Sequence, residues 1–322
     1  MKALVTGAAG FIGGRLSARL LQRGDQVVGV DAFTDYYDPG LKRAQVAALT
    51  GRDGFTLLEA DLLDDDWQAA LDDVEVVFHQ AGQPGVRAGW ATGFDVYEQR
   101  NVLATQRLLE ALRQRRERDG DAAALKRLVY ASSSSIYGDA MRQPTDEDVI
   151  PAPMSPYGVT KLAAEHLCGV YSRNFGVPCL SLRYFTVYGG GQRPDMALHR
   201  MIEATRRGGS FPRFGDGSQE RDLTHVDDVV AANLAAADAE VAPGTVVNIA
   251  GGTQVTLARL IDLVGDVVGT PVPIEPRPGQ PGDVARTSAD TSRARQLLGW
   301  QPAIDLGDGI AEQVAWQQRR LP

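Results

Sequence analysis

Short apolar runs alternate with longer amphipathic stretches through the first 185 residues of the chain. The runs are Lys2-Ala3-Leu4-Val5 with Thr6, Gln26-Val27-Val28-Gly29-Val30, Phe55 to Ala60, Val74 to Phe78, Leu128 to Ala131 and Pro178 to Arg183. Each is short and dense in Val, Leu, Phe or Ile, and reads as a strand. Helical periodicity lies between them. It runs from the glycines after Thr6 to about Arg23, from about Gly93 to Arg118 with Leu103, Leu108, Leu109 and Leu112 on one face, and from Pro156 to Arg173. Six alternations of strand and helix predict an α/β protein with a doubly wound parallel sheet over residues 1–185. After Tyr184 the rhythm changes. Gly189-Gly190-Gly191 and Gly208-Gly209 punctuate loops, Phe211 to Asp222 is glycine-rich and charged, and five prolines fall between Pro271 and Gly282. Residues 186–322 are read mainly as a smaller lobe that holds substrate. A strand at 246–250 is expected to return to the main sheet, and a helix from about Leu306 to Arg319 closes the chain.

Composition narrows the function classes. The 322 residues are 43% apolar and 23% charged, with a net charge of −8, which argues against nucleic acid or an anionic membrane as partner. An anionic ligand has to be met by local arginines and helix N-termini. Cys168 and Cys179 have neither metal-ligand nor disulfide spacing, Cys168 reads as core, and no metal is expected. The basic run Arg113 to Asp119 is explained by a solvated helix C-terminus. The chain opens on a strand, and no apolar run is long enough to span a bilayer. A cytoplasmic protein is expected.

The first strand runs into Gly7-Ala8-Ala9-Gly10-Phe11-Ile12-Gly13 and then a helix, the order a pyrophosphate site needs. Gly7 permits the turn, Gly10 lets phosphate oxygens reach backbone N–H groups, and Gly13 lets helix and strand pack closely. The second strand ends on Asp31, 18 residues after Gly13. Its carboxylate suits the adenosine ribose hydroxyls and repels a 2′-phosphate, which favours NAD over NADP. Together these features predict a Rossmann-type sheet. Asp61 and Leu62, after the third strand, are placed to read the adenine edge, with a helix N-cap for the helix after Asp64 as the structural alternative. Gln80, Ala81 and Gly82, after the fourth, let the cofactor backbone come close. His79 reads as a packed, hydrogen-bonded histidine rather than a base, and Pro84 to Arg87 forms a loop at the same face.

Tyr157 and Lys161 are four apart on the helix that Ser155-Pro156 starts, so they share a face. At about 4 Å and an effective dielectric near 20 such a pair gains roughly 4 kcal/mol, on the order of three pKa units, which brings the phenol toward neutrality. Upstream, Tyr130 to Gly138 is a strand entering the hydroxyl cluster Ser132 to Ser135, and a serine there can polarise the oxygen that Tyr157 deprotonates.

These blocks, with Asp35-Tyr36-Tyr37-Asp38 and Leu41-Lys42, Phe185-Thr186-Val187-Tyr188-Gly189, Arg193-Pro194-Asp195-Met196 and Arg221 to Asp228, resemble the extended short-chain dehydrogenase/reductases. The likeness is to the NAD-dependent epimerase/dehydratase group and, within it, to UDP-glucuronate 4-epimerases. The resemblance implies that Tyr157 is the base, that Lys161 lowers its pKa and holds the nicotinamide ribose, and that Ser133 bonds the reacting hydroxyl. NAD is regenerated within each turnover and stays bound. Relatives that dehydrate carry an Asp-Glu pair, and decarboxylases a Glu, where this chain has Ser134 and Ser135. Galactose-type epimerases usually have Asn at Thr186. Ser134, Ser135 and Thr186 are neutral hydroxyls suited to a C5 carboxylate, or caps of local backbone. Holding that carboxylate out of line with the 4-keto group opposes loss of CO₂. By resemblance Arg221 meets the pyrophosphate and Asp283 the uridine ribose, while Arg87 and Arg193 lie near the phosphates and sugar carboxylate or form surface ion pairs. Gln280 stands where the family has an arginine, whose charge Arg277 or another group supplies, with a solvated Arg277 as the alternative. A homodimer pairing the helices from Gly93 and Pro156 is expected. The competing readings are a UDP-glucose/galactose 4-epimerase, then a 4,6-dehydratase or decarboxylase, and a non-catalytic NAD-binding protein.

Overall fold

The computed structural model describes residues 1–64, 67–87, 89–120, 125–279 and 282–320. Its main sheet holds β1 (Lys2–Thr6), β2 (Gln26–Asp31), β3 (Phe55–Glu59), β4 (Val76–His79), β5 (Arg127–Ser133), β6 (Cys179–Tyr184) and the edge strand Thr245–Ile249. All pairings are parallel, and the spatial order is edge strand, β6, β5, β4, β1, β2, β3. Both faces are covered, so alternate residues of each strand feed opposite layers. Ala3, Val5, Val129 and Ala131 join one core, whereas Leu4, Leu128 and Tyr130 join the other. The first core is closed by Leu16 and Leu20 of α1 (Phe11–Gln22) and by Val229 and Val230 of the helix Val226–Asp238. α2 (Pro39–Ala47) starts on Asp38, whose side chain accepts from the Gly40 N–H.

The second core is closed by two long helical stretches. The expected helix from Gly93 is three segments: α3 (Phe94–Tyr97), a π-helical stretch Glu98–Leu103 and α4 (Ala104–Asp119). Leu108, Leu109 and Leu112 are buried against the sheet, each contributing on the order of 2 kcal/mol, but Leu103 is 40% exposed. The wider π turn breaks the 3.6-residue register, so Leu103 leaves the face that the sequence pattern gives it. α5 (Pro156–Phe175) supplies Ala164 and Cys168 to this core. In place of the helix expected after Asp64 there is a short 3₁₀ turn, Gln68–Leu71; residues 65 and 66 lie outside the described residues.

The segment after Tyr184 divides between two bodies. Val226, Val229, Val247, Ile249, Ala294 and Trp300 pack into the main sheet's layer. A separate core joins Leu198, Met201 and Ile202 to Phe211, Val255, Leu260 and Val264, and to Leu306, Ile310 and Val314 of the last helix, Leu306–Arg320. The proline-rich stretch contributes the strand Ile274–Arg277, parallel to Phe211–Phe214. Among the described residues no helix is long and apolar enough to cross a membrane.

Candidate active site

The strand order reverses beside β1, because the chain runs outward through β2 and β3 and returns at β4. The loops after β1 and β4 therefore border one crevice. Gly7 has φ +69, and a Cβ there would meet the Ala81 backbone nitrogen at 2.9 Å. A Cβ on Gly13 would overlap the Gly7 carbonyl oxygen. Only glycine allows helix and turn to approach so closely. α1 begins on Gly10 with no side-chain cap, leaving its first N–H groups to face the crevice. Gly7, Gly10, Phe11, Ile12, Gly13, Asp31, Asp61, Leu62, Gln80, Ala81, Gly82, Tyr157 and Lys161 line one open cleft of about 1240 Å³.

Asp31 is buried and accepts the Ala9 N–H at 3.0 Å on Oδ2 and the Phe33 N–H at 2.8 Å on Oδ1. A carboxylate accepts about four hydrogen bonds, so acceptor capacity remains for a ribose diol. Asp61 takes the Leu63 N–H at 3.0 Å and pairs with Arg100 of the π stretch. Sequence reasoning missed Arg100, Asn101 and the cleft roles of Tyr36, Tyr37 and Lys42. Lys42 donates to the Thr34 carbonyl at 2.7 Å, and burial pulls its pKa down. Asn101 accepts the Gln83 N–H at 2.7 Å and donates to Thr160 Oγ1 at 3.0 Å. The available signal was Asp38-Pro39, a helix start that puts Lys42 in the first turns after it. No local pattern marks a π stretch.

Ser155 caps α5 by accepting the Gly158 N–H at 3.1 Å, with Pro156 first in the helix and Tyr157 next. β5 brings Ser133, itself buried, close enough to the Tyr157 phenol to favour its ionised form. A 3₁₀ turn, Ser134–Ile136, comes next, and it donates the Ser135 N–H to Ser133 Oγ at 3.2 Å. A Cβ on Gly158 would come within 2.5 Å of the Ser135 carbonyl oxygen, so the serine turn and α5 meet backbone to backbone. Lys161 is buried, with its ammonium 4.5 Å from the Tyr130 ring centroid. Burial pushes Lys161 down to about 8. The Tyr157 phenol is held above its ordinary value by burial, against the opposing effects of the Ser133 hydroxyl and the Arg193 charge. The expected phenol near neutrality is therefore corrected for the protein without cofactor: desolvation outweighs the Ser133 hydroxyl and the Arg193 charge.

A buried network supports this face. Glu165, one turn beyond Lys161, accepts from Arg183 at 2.6 and 3.0 Å and from Ser132 at 2.6 Å. Arg183 also donates to the Tyr137 hydroxyl, which donates to Asn248. His79 bridges Thr6 and Thr105 hydroxyls at 2.7 and 3.0 Å, and burial lowers its pKa to about 3. It is a neutral, packed histidine.

Arg87, Thr186, Arg221 and Asp283 line a second cavity of about 960 Å³ beside the cleft. Arg87 donates to Asp283 at 2.8 Å and lies 4.4 Å from the Phe214 ring centroid. Burial lowers the Arg221 pKa. Arg193 lines the first cleft and Asp195 the second, so their ion pair at 2.9 Å stands at the junction. Ser133, Ser134 and Ser135 line neither cavity; the last two are half-buried. The expected set of three hydroxyls is thus divided, because the 3₁₀ turn withdraws the serine pair from the wall that Thr186 occupies. Arg277 pairs with Glu275 at 2.5 Å and lines neither cavity. Gln280 lies outside the described residues.

Residues 3–250 match the model of the NAD dependent epimerase/dehydratase family. The chain belongs to that family. Among epimerase/dehydratase family relatives, it is 39% identical over 98% of both chains to the uncharacterized UDP-glucose epimerase YtcB of Bacillus subtilis (strain 168). It is 34% identical to the UDP-glucuronate 4-epimerase of Thermodesulfobacterium geofontis (strain OPF15), covering 99% of this chain and 96% of that one. The solved UDP-glucuronic acid 4-epimerase of Bacillus cereus, in complex with UDP-glucuronic acid and NAD, superposes with a TM-score of 0.93 at 38% identity. That match covers 99% of this chain and all of the other.

Proposed function

We propose that this family member is an NAD-dependent UDP-glucuronate 4-epimerase, interconverting UDP-glucuronate and UDP-galacturonate. The observation that carries the reading is that Tyr157 and Lys161 line the glycine-loop cleft with Ser133 acting on the phenol, while Arg193 and Thr186 line the two adjoining cavities. Phe11, Ile12 and Gly13 at the start of α1, with Gly7 and Gly10, would hold the pyrophosphate, Asp31 the adenosine ribose, Asp61 and Leu62 the adenine, and Gln80 to Gly82 the middle of the dinucleotide. NAD supplies the hydride acceptor at C4 of the sugar and returns the hydride. Tyr157 takes the 4-hydroxyl proton and later gives it back, while Ser133 hydrogen-bonds the same oxygen. Lys161 holds the nicotinamide ribose and favours the phenolate when proton transfer occurs. Arg221 and Arg87 meet the pyrophosphate and Asp283 the uridine ribose. Thr186 and Arg193 face the C5 carboxylate. No carboxylic acid stands beside Ser133 in the sequence, which supports epimerisation over dehydration.

The YtcB relationship favours a second reading, a UDP-glucose/galactose 4-epimerase, so the test uses both sugars. Purified protein is incubated separately with UDP-glucuronate and with UDP-glucose, and the products are resolved. Faster conversion of UDP-glucuronate to its C4 epimer is expected; a preference for UDP-glucose rejects the uronate reading. Denaturing the protein as purified should release NAD, and release of NADP would reject the role given to Asp31.

A homodimer is part of the same proposal. Val96 and Leu103 on the α3–α4 stretch and Val159, Val170 and Phe175 on α5 are all 39–48% exposed. Pairing these two helices with their copies would cover them. A dissolved nucleotide-sugar substrate would put the reaction in the cytoplasm.

A further inference from the structure

Two sequence motifs far apart along the chain meet in space. Asp35-Tyr36-Tyr37-Asp38 lies after β2, and Arg193-Pro194-Asp195 lies far along the chain beyond β6. The Tyr36 hydroxyl donates to Asp195 Oδ2 at 3.2 Å. Asp195 in turn receives two parallel bonds from Arg193, Nε to Oδ1 at 2.9 Å and Nη2 to Oδ2 at 3.0 Å. The Arg193 guanidinium is also 6.0 Å from the Tyr36 ring centroid. Tyr36 is itself wedged against the loop after β4. A Cβ on Gly85, at φ +101, would meet its hydroxyl at 2.5 Å. Gly85 is held from the other side by Tyr97, whose hydroxyl donates to the Gly85 carbonyl at 2.6 Å, and whose ring stands edge-on to Tyr157 at 6.3 Å.

A guanidinium carries five N–H donors in a fixed plane. Asp195 uses two of them on one edge, leaving three for the cleft that Arg193 shares with Tyr157. An arginine on a long, flexible stem loses rotamer freedom when it grips a ligand, and one already forked to a carboxylate has lost it beforehand.

We propose that Tyr36 and Asp195 are positioning residues that determine substrate specificity, fixing the Arg193 guanidinium at the junction of the two cavities so that its free edge receives a uronate carboxylate. The inference rests on the UDP-glucuronate reading, since only a sugar with a C5 carboxylate uses that edge. UDP-glucose, which shares every other group, gains nothing from the arrangement.

The test compares unmutated protein with Tyr36→Phe and Asp195→Asn, using KM and kcat for UDP-glucuronate, the inhibition constant of UDP-glucose and the NAD content. Losing a hydrogen bond in a charged chain should raise the UDP-glucuronate KM about five- to tenfold in Tyr36→Phe, and about tenfold or more in Asp195→Asn. In both variants kcat should stay within about twofold, with UDP-glucose inhibition and NAD content unchanged. Equal weakening for both sugars, a loss of NAD, or an unchanged KM overturns the inference. If the unmutated protein itself prefers UDP-glucose, the uronate reading falls and takes this proposal with it. If it prefers UDP-glucuronate while both variants behave as it does, this proposal alone is wrong.

Discussion

Replacing Lys161 with methionine is expected to abolish turnover and, at the same time, to stabilise the NAD-free protein. Lys161 is only 5% exposed, and burial lowers its pKa from 10.5 to about 8. At about 1.4 kcal/mol per unit, keeping the buried lysine protonated costs the native state about 3 kcal/mol. Its position 4.5 Å from the Tyr130 ring centroid limits the cost, but that attraction is part of the shifted pKa, so the net cost stays about 3 kcal/mol. Methionine is unbranched, of similar length and uncharged, and fills the same space. Proton counting gives the sign. Below pH 8 the lysine is protonated in both folded and unfolded chains, and the cost is present in full. Between about 8 and 10.5 the unfolded chain holds more protons, so the stability of the unmutated protein rises with pH. The gap between the two proteins should therefore be about 3 kcal/mol at pH 7 and about 1 kcal/mol or less at pH 10. Urea unfolding of both proteins, stripped of NAD, at the two pH values measures it. A variant less stable than the parent at pH 7, or a gap that does not change with pH, refutes the reasoning. Activity should fall at least about a hundredfold.

Changing Thr186 to Val should lower UDP-glucuronate turnover about tenfold to a hundredfold, the loss of a hydrogen bond to a charged group. NAD content should be unchanged, and a UDP-pentose and CO₂ should appear as the loosened ketouronate decarboxylates; labelled CO₂ release reads this directly. Glu165→Ala leaves Arg183 buried without its ion-pair partner and should cost about 3–5 kcal/mol in urea unfolding, whereas exposed Glu117→Ala should cost less than about 1 kcal/mol. Light scattering should give twice the 34.6 kDa chain mass, and Leu103→Asp with Val159→Asp should halve it; a concentration-independent monomer in the parent rejects the dimer.

The sheet, the glycine turn and the capped start of α5 were legible because each is a local rule: apolar runs of strand length, Gly7 and Gly13 where backbones touch, Ser155-Pro156 before Tyr157. The π stretch was not. Glu98 to Leu103 contains ordinary helix formers, and their register is tied to partners distant in sequence. Asn101 grips Gln83 and Thr160, and Tyr97 grips the Pro84 and Gly85 carbonyls. Arg100 and the misplaced Leu103 result from the same shift. The Tyr157–Lys161 spacing was readable, but its electrostatics were not, because the sequence shows the charge and hides the burial. Tyr36 and Asp195 meet from 159 residues apart along the chain, beyond any periodicity.

The division of the second half between two bodies bears on how such a protein can change. After β6 the chain visits the smaller core around Leu198 and Phe211, returns to the sheet's layer at Val226 and Ile249, leaves again for Val255 and Leu260, returns at Ala294 and Trp300, and leaves a last time at Leu306. The smaller body is thus a set of excursions stitched through the larger one. It cannot be excised as a fragment or exchanged as a cassette. The first two excursions, though, depart from the same carboxyl end of the sheet, after Tyr184 and Ile249. Lengthening or reshaping them alters what hangs over the cleft while the strands beneath keep their register. Descent with new substrates can proceed loop by loop, whereas duplication, fusion or transplantation of the lobe as a block is barred by the threading itself.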